Sequence, residues 1–386
     1  MAYIAPKTWA YKETLSSSDL NTYVRDNEIS HESRLPFNND LSLADISAPF
    51  TEYGMARQAI MNGNFDIWQR GTSVALPDVT DIFQADRWCD YNNKDGGTLP
   101  TLTRSRQLQT SGDIANSFYF TRLATNGAGA SLGVNSASLL RTRIENGTSK
   151  LCGLNKKVTV SFWARTSIAG TKRLGVSLQQ NYGTGGSPTA EEKIITQTPI
   201  ILTSSWVKYT VTFITNTLVG KTFGTNGDDY LHVNFLSAWG TTFGNTYVYP
   251  SVTAETFVGA GNIDIAQVQL CSGDVALPFK PKSYEEELRA CQRYYREVYP
   301  RCSGNGATNS FRIICPGIMR STPVVSSVGN INVIEAGGGV TTAGAQTYSS
   351  LATQGEDNVY SGTTSGATSN YAPRIFDGKV AMISEP

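Results

Sequence analysis

KVTVSFWAR, Lys157 to Arg165, reads as a strand buried on one side: Val158, Val160, Phe162 and Ala164 share one face, and Thr159, Ser161, Trp163 and Arg165 the other. The same alternation recurs at Leu174, Val176 and Leu178; at Val207, Tyr209, Val211 and Phe213; and at Leu231, Val233 and Phe235. Each such strand has one apolar face to cover, so the series specifies a mainly-β chain built on a two-sheet sandwich. Period two runs from Asn62 to about Lys282, broken by Gly, Asn and Thr turns and by long loops over 180–193 and 239–256. Alternation alone leaves open a jelly roll or an immunoglobulin topology.

Downstream the period changes. Ser283 with Glu286 forms a capping box, Glu285, Glu286 and Glu287 complement the positive end of a helix, Arg293 and Arg296 stand toward the other end, and Pro300 stops it. The spacing predicts a connecting helix over 283–300 with a stripe of Tyr284, Leu288, Cys291, Tyr295 and Val298. That stripe either packs on the chain's own sandwich or forms a short threefold helical seam. After it, FRIIC, TPVVSSV, INVIE and KVAMIS predict a small C-terminal β domain over 301–386. Upstream, Ser16 and Asp19 cap a short helix from about Ser17 to Ser33, with Leu20, Tyr23 and Val24 on one face. So short an element is marginal alone and needs a partner surface. The division is therefore a leading segment (1–34), a linker (35–58) broken by Pro36, Asn38, Asn39, Asp40 and Pro49, the sandwich (59–282), the connecting helix and the distal β domain. No solenoid-length repeat is visible, which argues against a parallel β-helix.

Charged residues make up 17% of the chain, below the ~25% of ordinary soluble proteins, while 36 glycines and many Ser, Thr and Asn residues supply turn chemistry. Lys plus Arg (32) balance Asp plus Glu (32), so no basic field recruits nucleic acid or an anionic membrane, and no run is long enough for a membrane helix. Cys89, Cys152, Cys271, Cys291, Cys302 and Cys315 form no CxxC pair and read as free or buried thiols from a reducing compartment.

Catalytic and metal chemistry finds little support. His31 and His232 are the only imidazoles, and no GxSxG elbow accompanies them. Val219-Gly220-Lys221-Thr222 ends like a phosphate loop, but Thr215 stands where its first glycine belongs. The carboxylate clusters Asp228-Asp229, Glu191-Glu192 and Glu285 to Glu287 are adjacent in sequence, whereas glycosidase carboxyls oppose one another across roughly 5 to 9 Å. The chain is read as a non-enzyme with no cofactor and no metal. Binding of a neutral sugar polymer remains, which needs flat aromatic platforms and rigid amide or guanidinium donors. The polar strand faces offer Trp163, Arg165, Gln179, His232 and Asn234, and the long loop adds Trp239, Phe243, Tyr247 and Tyr249. Large aromatics are commonly core residues, so each of these also has a structural reading.

Three phrases resemble recurrent segments of bacteriophage tail-fibre and receptor-binding proteins. They are WAYKETLSSSDLNTYVRDN (Trp9 to Asn27), NGNFDIWQRGTS through ADRW (Asn62 to Trp88), and IAQVQL with PFKPKSYEEELRACQRYY (Ile265 to Leu270, Pro278 to Tyr295). MRSTPVV, Met319 to Val325, is more loosely similar to a phrase that often follows. The SFWAR, SSWVKYTVTF and NIDIAQVQL strands resemble carbohydrate-binding-module jelly rolls. The resemblance implies a jelly roll, held to other virion tail proteins by Trp9, Leu15, Leu20, Asn21, Tyr23, Val24, Arg25, Asp26 and Asn27, and displayed as a homotrimer toward host cell-surface polysaccharide. It places the chain on a phage tail after synthesis in the host cytoplasm. A head fibre or purely structural tail protein is the alternative, and a polysaccharide depolymerase a third reading. Related modules often carry a structural calcium near the position of Asp264, but the Asp-Asp form common there is missing. Trp68, Gln69, Arg70, Asp86, Arg87 and Trp88 are read as fixing the first turn of the jelly roll, with Arg and Asp paired beneath ring faces.

Overall fold

The computed structural model describes Met55 and residues 57–385 except 79–80, 130–131, 197, 258, 300, 304–307, 315–318, 322, 335–339, 344–346, 355–358 and 366–374, and beyond Tyr299 it describes mainly backbone. The predicted virion anchor, from Trp9 to Asn27, and His31 lie outside the described residues.

The sandwich comprises β1 (Ser73–Ala75), β2 (Ile82–Phe83), β3 (Trp88–Asn93), β4 (Leu102–Leu108), β5 (Tyr119–Thr125), β6 (Ala137–Glu145), β7 (Lys157–Thr166), β8 (Lys172–Asn181), β9 (Glu192–Ile195), β10 (Ile200–Leu202), β11 (Val207–Ile214), β12 (Tyr230–Trp239) and β13 (Gly261–Ser272). One sheet runs β1-β4-β5-β13-β7-β11 and the other β10-β8-β12-β6-β3-β2, with β9 added on β8; the pairings are antiparallel. Neighbours distant in sequence, β5 beside β13 and β6 beside β12, make it a jelly roll. Val158, Val160, Phe162 and Ala164 of β7 are completely buried against Leu231, Val233 and Phe235 of β12 and Leu174, Val176 and Leu178 of β8. Phe162 meets Phe235 edge-on at 4.9 Å between ring centroids, tying the two sheets together. Burying each such side chain contributes roughly 1.5–3 kcal/mol.

The Asn62 side chain organises the opening turn: its Nδ2 donates to the carbonyls of Ile67 (2.8 Å) and Asp86 (2.9 Å), and its Oδ1 accepts from Ile67 N (3.0 Å). Gly63 is required beside it, because a Cβ there would lie 2.0 Å from the Val268 carbonyl oxygen. Short helices α1 (Gly147–Leu151) and α2 (Thr241–Tyr247) close the ends of strands, and none of the described helices is long and apolar enough to cross a membrane. Cys89, Cys152, Cys271 and Cys291 are buried and unpaired, and burial pushes the Cys89 and Cys152 thiols up to about 12. The side chains of Cys302 and Cys315 lie outside the described residues.

The connecting helix departs from expectation. α3 (Tyr284–Cys291) begins at the expected capping box but ends at Cys291, and β14 (Tyr295–Val298) follows as a strand. The expected stripe therefore does not run along one helix: Tyr284 is 62% exposed, Cys291 and Glu287 are buried on the chain's own sandwich, and Tyr295 and Val298 belong to a strand, with Glu287 Oε1 accepting from Asn62 N at 2.6 Å. Beyond the helix Tyr294 and Tyr295 serve as platforms, with the Arg87 guanidinium 3.6 Å from the Tyr294 ring centroid and that of Arg70 3.7 Å from Tyr295. Arg70 also reaches Asp86 at 3.4 Å, which places the expected Arg–Asp pairing beside ring faces.

β14 belongs to the C-terminal unit. That unit contains β15 (Arg301–Ser303), β16 (Thr308–Ile314), β17 (Val324–Ile334), β18 (Val340–Ala343), β19 (Thr347–Gln354), β20 (Val359–Ser365) and β21 (Ile375–Ile383). They form four-stranded sheets in the orders β14-β21-β17-β18 and β15-β16-β20-β19. Its late residues return to the jelly roll: Glu385 pairs with Arg70 at 3.0 Å and with Arg87, and Ser384 N donates to the Tyr294 carbonyl at 2.7 Å.

Candidate functional site

Register brings chemistry to the outer face of the second sheet. Gln179 of β8, His232 of β12 and Arg143 of β6 are successive cross-strand partners, extended by Lys193 of β9. The neighbouring row is Ser177, Asn234, Arg141 and Cys89. Adjacent strands are ~4.8 Å apart, so the rows present polar groups at a regular spacing.

The histidine is locked in one form. Arg143 Nε donates to His232 Nε2 at 2.9 Å, which requires a lone pair there, so the imidazole proton is assigned to Nδ1 and is donated to Gln179 Oε1 at 2.7 Å. Burial, then the charges of Arg141 and Arg143, hold its pKa well below 6.5. Both ring nitrogens are engaged, and the nearby Cys89 thiol has its pKa pushed up to about 12 by burial, so this arrangement positions groups rather than attacking carbonyls. Asp81 bridges Arg141 and Arg143, the latter at 3.3 Å. Burial favours its neutral form, but the Arg141 hydrogen bond and the two guanidinium charges outweigh that and keep it below the usual carboxylate range.

Aromatic walls flank the rows. The Arg143 guanidinium lies 5.2 Å from the Tyr230 ring centroid, that of Arg141 5.4 Å from Tyr91, and the Lys193 ammonium 5.4 Å from Tyr247. Tyr247 stacks on Phe243 at 4.3 Å within α2, packed on the cluster of Leu139, Leu236, Trp239, Val248 and Val252. Gln179, His232 and Asn234 are 5%, 2% and 2% exposed, so they form the floor, while half-buried Arg141, Arg143, Tyr91, Tyr230 and Tyr247 reach solvent.

The nine sequence candidates, with Phe243 stacked on Tyr247, therefore divide. Gln179, His232 and Asn234 come together, and Tyr247 stands at their margin with Tyr249 half-buried behind it. Trp239 is core, 1% exposed, with Nε1 donating to the Thr253 carbonyl at 3.1 Å. Trp163 and Arg165 lie on the opposite sheet. There Trp163 packs against Ile114, Phe120 and Ala266, while Arg165 donates to Asp264 at 2.9 Å and lies 4.6 Å from the Trp206 ring. Both Asp264 oxygens are also taken by Arg122, at 2.7 and 2.8 Å. Arg141, Arg143, Tyr91, Tyr230 and Lys193 were not anticipated; the alternation Arg141, Arg143 against Leu140, Ile144 in LLRTRIE was the available signal.

The obvious carboxylates are committed elsewhere. Asp228 accepts from Thr184 N at 2.7 Å, Asp229 from Ser149 N at 2.9 Å, Glu192 from Tyr182 at 2.6 Å, and Glu286 closes the helix cap. Among the described residues no group of three or more His, Cys, Asp or Glu side chains is gathered to hold a metal.

No family model and no curated protein matches the chain. Among solved structures it is similar to the CBM22-1 xylan-binding domain from Paenibacillus barcinonensis (10% identity, 55% of this chain and 92% of that one, TM-score 0.25). It is also similar to the N-terminal cellulose-binding domain of Cellulomonas fimi β-1,4-glucanase C (17%, 45% and 90%, TM-score 0.27). A third is the family 11 carbohydrate-binding module from Clostridium thermocellum (12%, 52% and 95%, TM-score 0.26). These scores are too low to carry an assignment, and the jelly roll is identified by its own sheet order and register.

Proposed function

We propose that the jelly roll binds glycans through the outer face of its second sheet. The observation that carries this is the cross-strand row of Gln179, His232 and Arg143 beside Asn234 and Arg141, with Tyr91, Tyr230 and Tyr247 as ring platforms. In this reading Arg141, Arg143 and the tyrosines touch sugar, and the neutral His232 with Gln179 fixes the Arg143 guanidinium. The site acts without covalent chemistry. A glycan array probed with the full chain tests it: binding that falls about ten-fold in Tyr230→Ala and is unchanged in Trp163→Phe supports the face, and an array without hits removes it.

The wider context is a tailed-phage virion protein, attached through its N-terminal segment and displaying the sandwich to host polysaccharide as a homotrimer. The resemblance of Trp9 to Asn27 and Asn62 to Trp88 to phage tail segments supports this reading. Repeated copies would multiply weak single-site affinities. Deleting residues 1–33 should leave glycan binding intact and abolish incorporation into particles; light scattering should give the mass of three chains. A depolymerase would instead release reducing ends from host capsule, and a purely structural fibre would bind no glycan.

A further inference from the structure

We infer that the glycan-binding face ends in a subsite for one negatively charged sugar residue, built around Arg143, Lys150 and Arg293. This rests on the glycan reading and adds the charge of the ligand. A cavity of about 220 Å³ lies at the end of β6, lined among others by Met55, Met61, Arg143, Glu145, Lys150 and Arg293. Arg143 belongs to both places: its Nε holds His232 on the face, and the residue is part of the cavity lining. Tyr230 and Glu145, the next cross-strand pair along the same strands, continue the face in that direction.

The charges do not cancel locally. Glu145 is the single carboxylate of the lining, and it is already committed: it accepts from Arg293 at 2.8 Å and from the Tyr294 hydroxyl, and lies 3.5 Å from Arg320. Burial opposes its ionisation, but the Tyr294 hydrogen bond and the two arginines outweigh that and keep it ionised. Against it stand Arg143, Lys150 and Arg293, three cations to one anion in the lining, while outside it the single carboxylate of Asp81 is shared between Arg143, at 3.3 Å, and Arg141. The Lys150 ammonium is exposed and has no ion-pair partner among the described residues. Met55 and Met61 add an apolar wall that an inorganic anion would leave bare and the carbon face of a sugar ring would cover. The volume is below the roughly 300–1,000 Å³ of pockets that enclose a drug-sized ligand, so it suits one monosaccharide unit bearing a carboxylate.

The test compares acidic polysaccharides with their carboxyl-reduced counterparts, which differ only by replacing carboxylate with hydroxymethyl, on the full chain at low and high salt. The expected result is an acidic form bound about ten-fold more tightly than its reduced twin, an advantage that shrinks with salt and disappears in Lys150→Glu while binding of the reduced form persists. Equal binding of acidic and reduced forms overturns the anionic subsite and leaves the glycan-binding face standing. Loss of both forms in Lys150→Glu likewise overturns it, because the charge would then serve the whole face. Competition by inorganic phosphate as strong as that by a free uronic acid means an adventitious ion only and also overturns it. If neither form binds the unmodified chain, the glycan reading itself fails.

Discussion

His232 shows how a single residue acquires its character from its neighbours. Arg143 donates to one ring nitrogen and Gln179 accepts from the other, so protonation would cost the Arg143 hydrogen bond and place a third cation beside Arg141 and Arg143. Its pKa is depressed in the fold, so the unfolded chain takes up the proton first as pH falls. The stability contributed by neutral His232 is thus fully present above 6.5 and is lost on acidification below it, by at most ~1.4 kcal/mol per pH unit. Urea melts at pH 7.5 and 5.5 should show a larger loss for the unmodified chain than for His232→Gln. Parallel losses would mean that the imidazole takes up its proton as readily in the fold as in the unfolded chain. Alternation in YLHVNF was enough to turn His232 away from the core, but not to identify its partners. Those come from β6 and β8, 89 and 53 residues away, and only register defines them.

At the scale of elements, local signals proved readable and non-local ones did not. The four alternating segments became β7, β8, β11 and β12, because a two-residue period depends only on the strand itself. It separates inside from outside without saying which sheet a strand joins, so alternation alone groups Trp163 and Arg165 with His232 although the sandwich separates them. The helix start at Ser283 was legible from its capping box, whereas its early end was not: β14 exists because β21, some eighty residues later, pairs Ile383 with Tyr295. Two substitutions test these elements. Ser283→Ala removes the cap and should cost ~1 kcal/mol in chemical denaturation. Phe162→Ala opens a cavity between the sheets, at a ring touching Tyr209 and Phe235, and should cost ~3–5 kcal/mol. A loss below ~1 kcal/mol at Phe162 would mean that the sheets are not clamped there.

For the whole molecule, the C-terminal sheets and the jelly roll share a charged junction. Glu385 meets Arg70 and Arg87, whose guanidiniums are stacked on Tyr295 and Tyr294. Arg87 is 2% exposed, so Glu385→Ala leaves a buried charge without its carboxylate, at a cost of ~3 kcal/mol or more. Calorimetry should then show the C-terminal unit melting ahead of the sandwich; a single unshifted transition would mean that the junction is held by backbone contacts alone. Glycan binding should survive the change, because the proposed face lies across Gln179, His232 and Arg143.

That junction also imposes an order of assembly during synthesis. Tyr295 follows Gln69 by 226 residues and Glu385 follows Arg70 by 315, so at ~5–20 residues per second the carboxylate leaves the ribosome roughly 15–60 seconds after the guanidinium it will neutralise. The Tyr295 ring emerges about 90 residues ahead of Glu385, so for roughly 5–20 seconds the nascent jelly roll holds Arg70 and Arg87 by stacking alone before the carboxylate arrives.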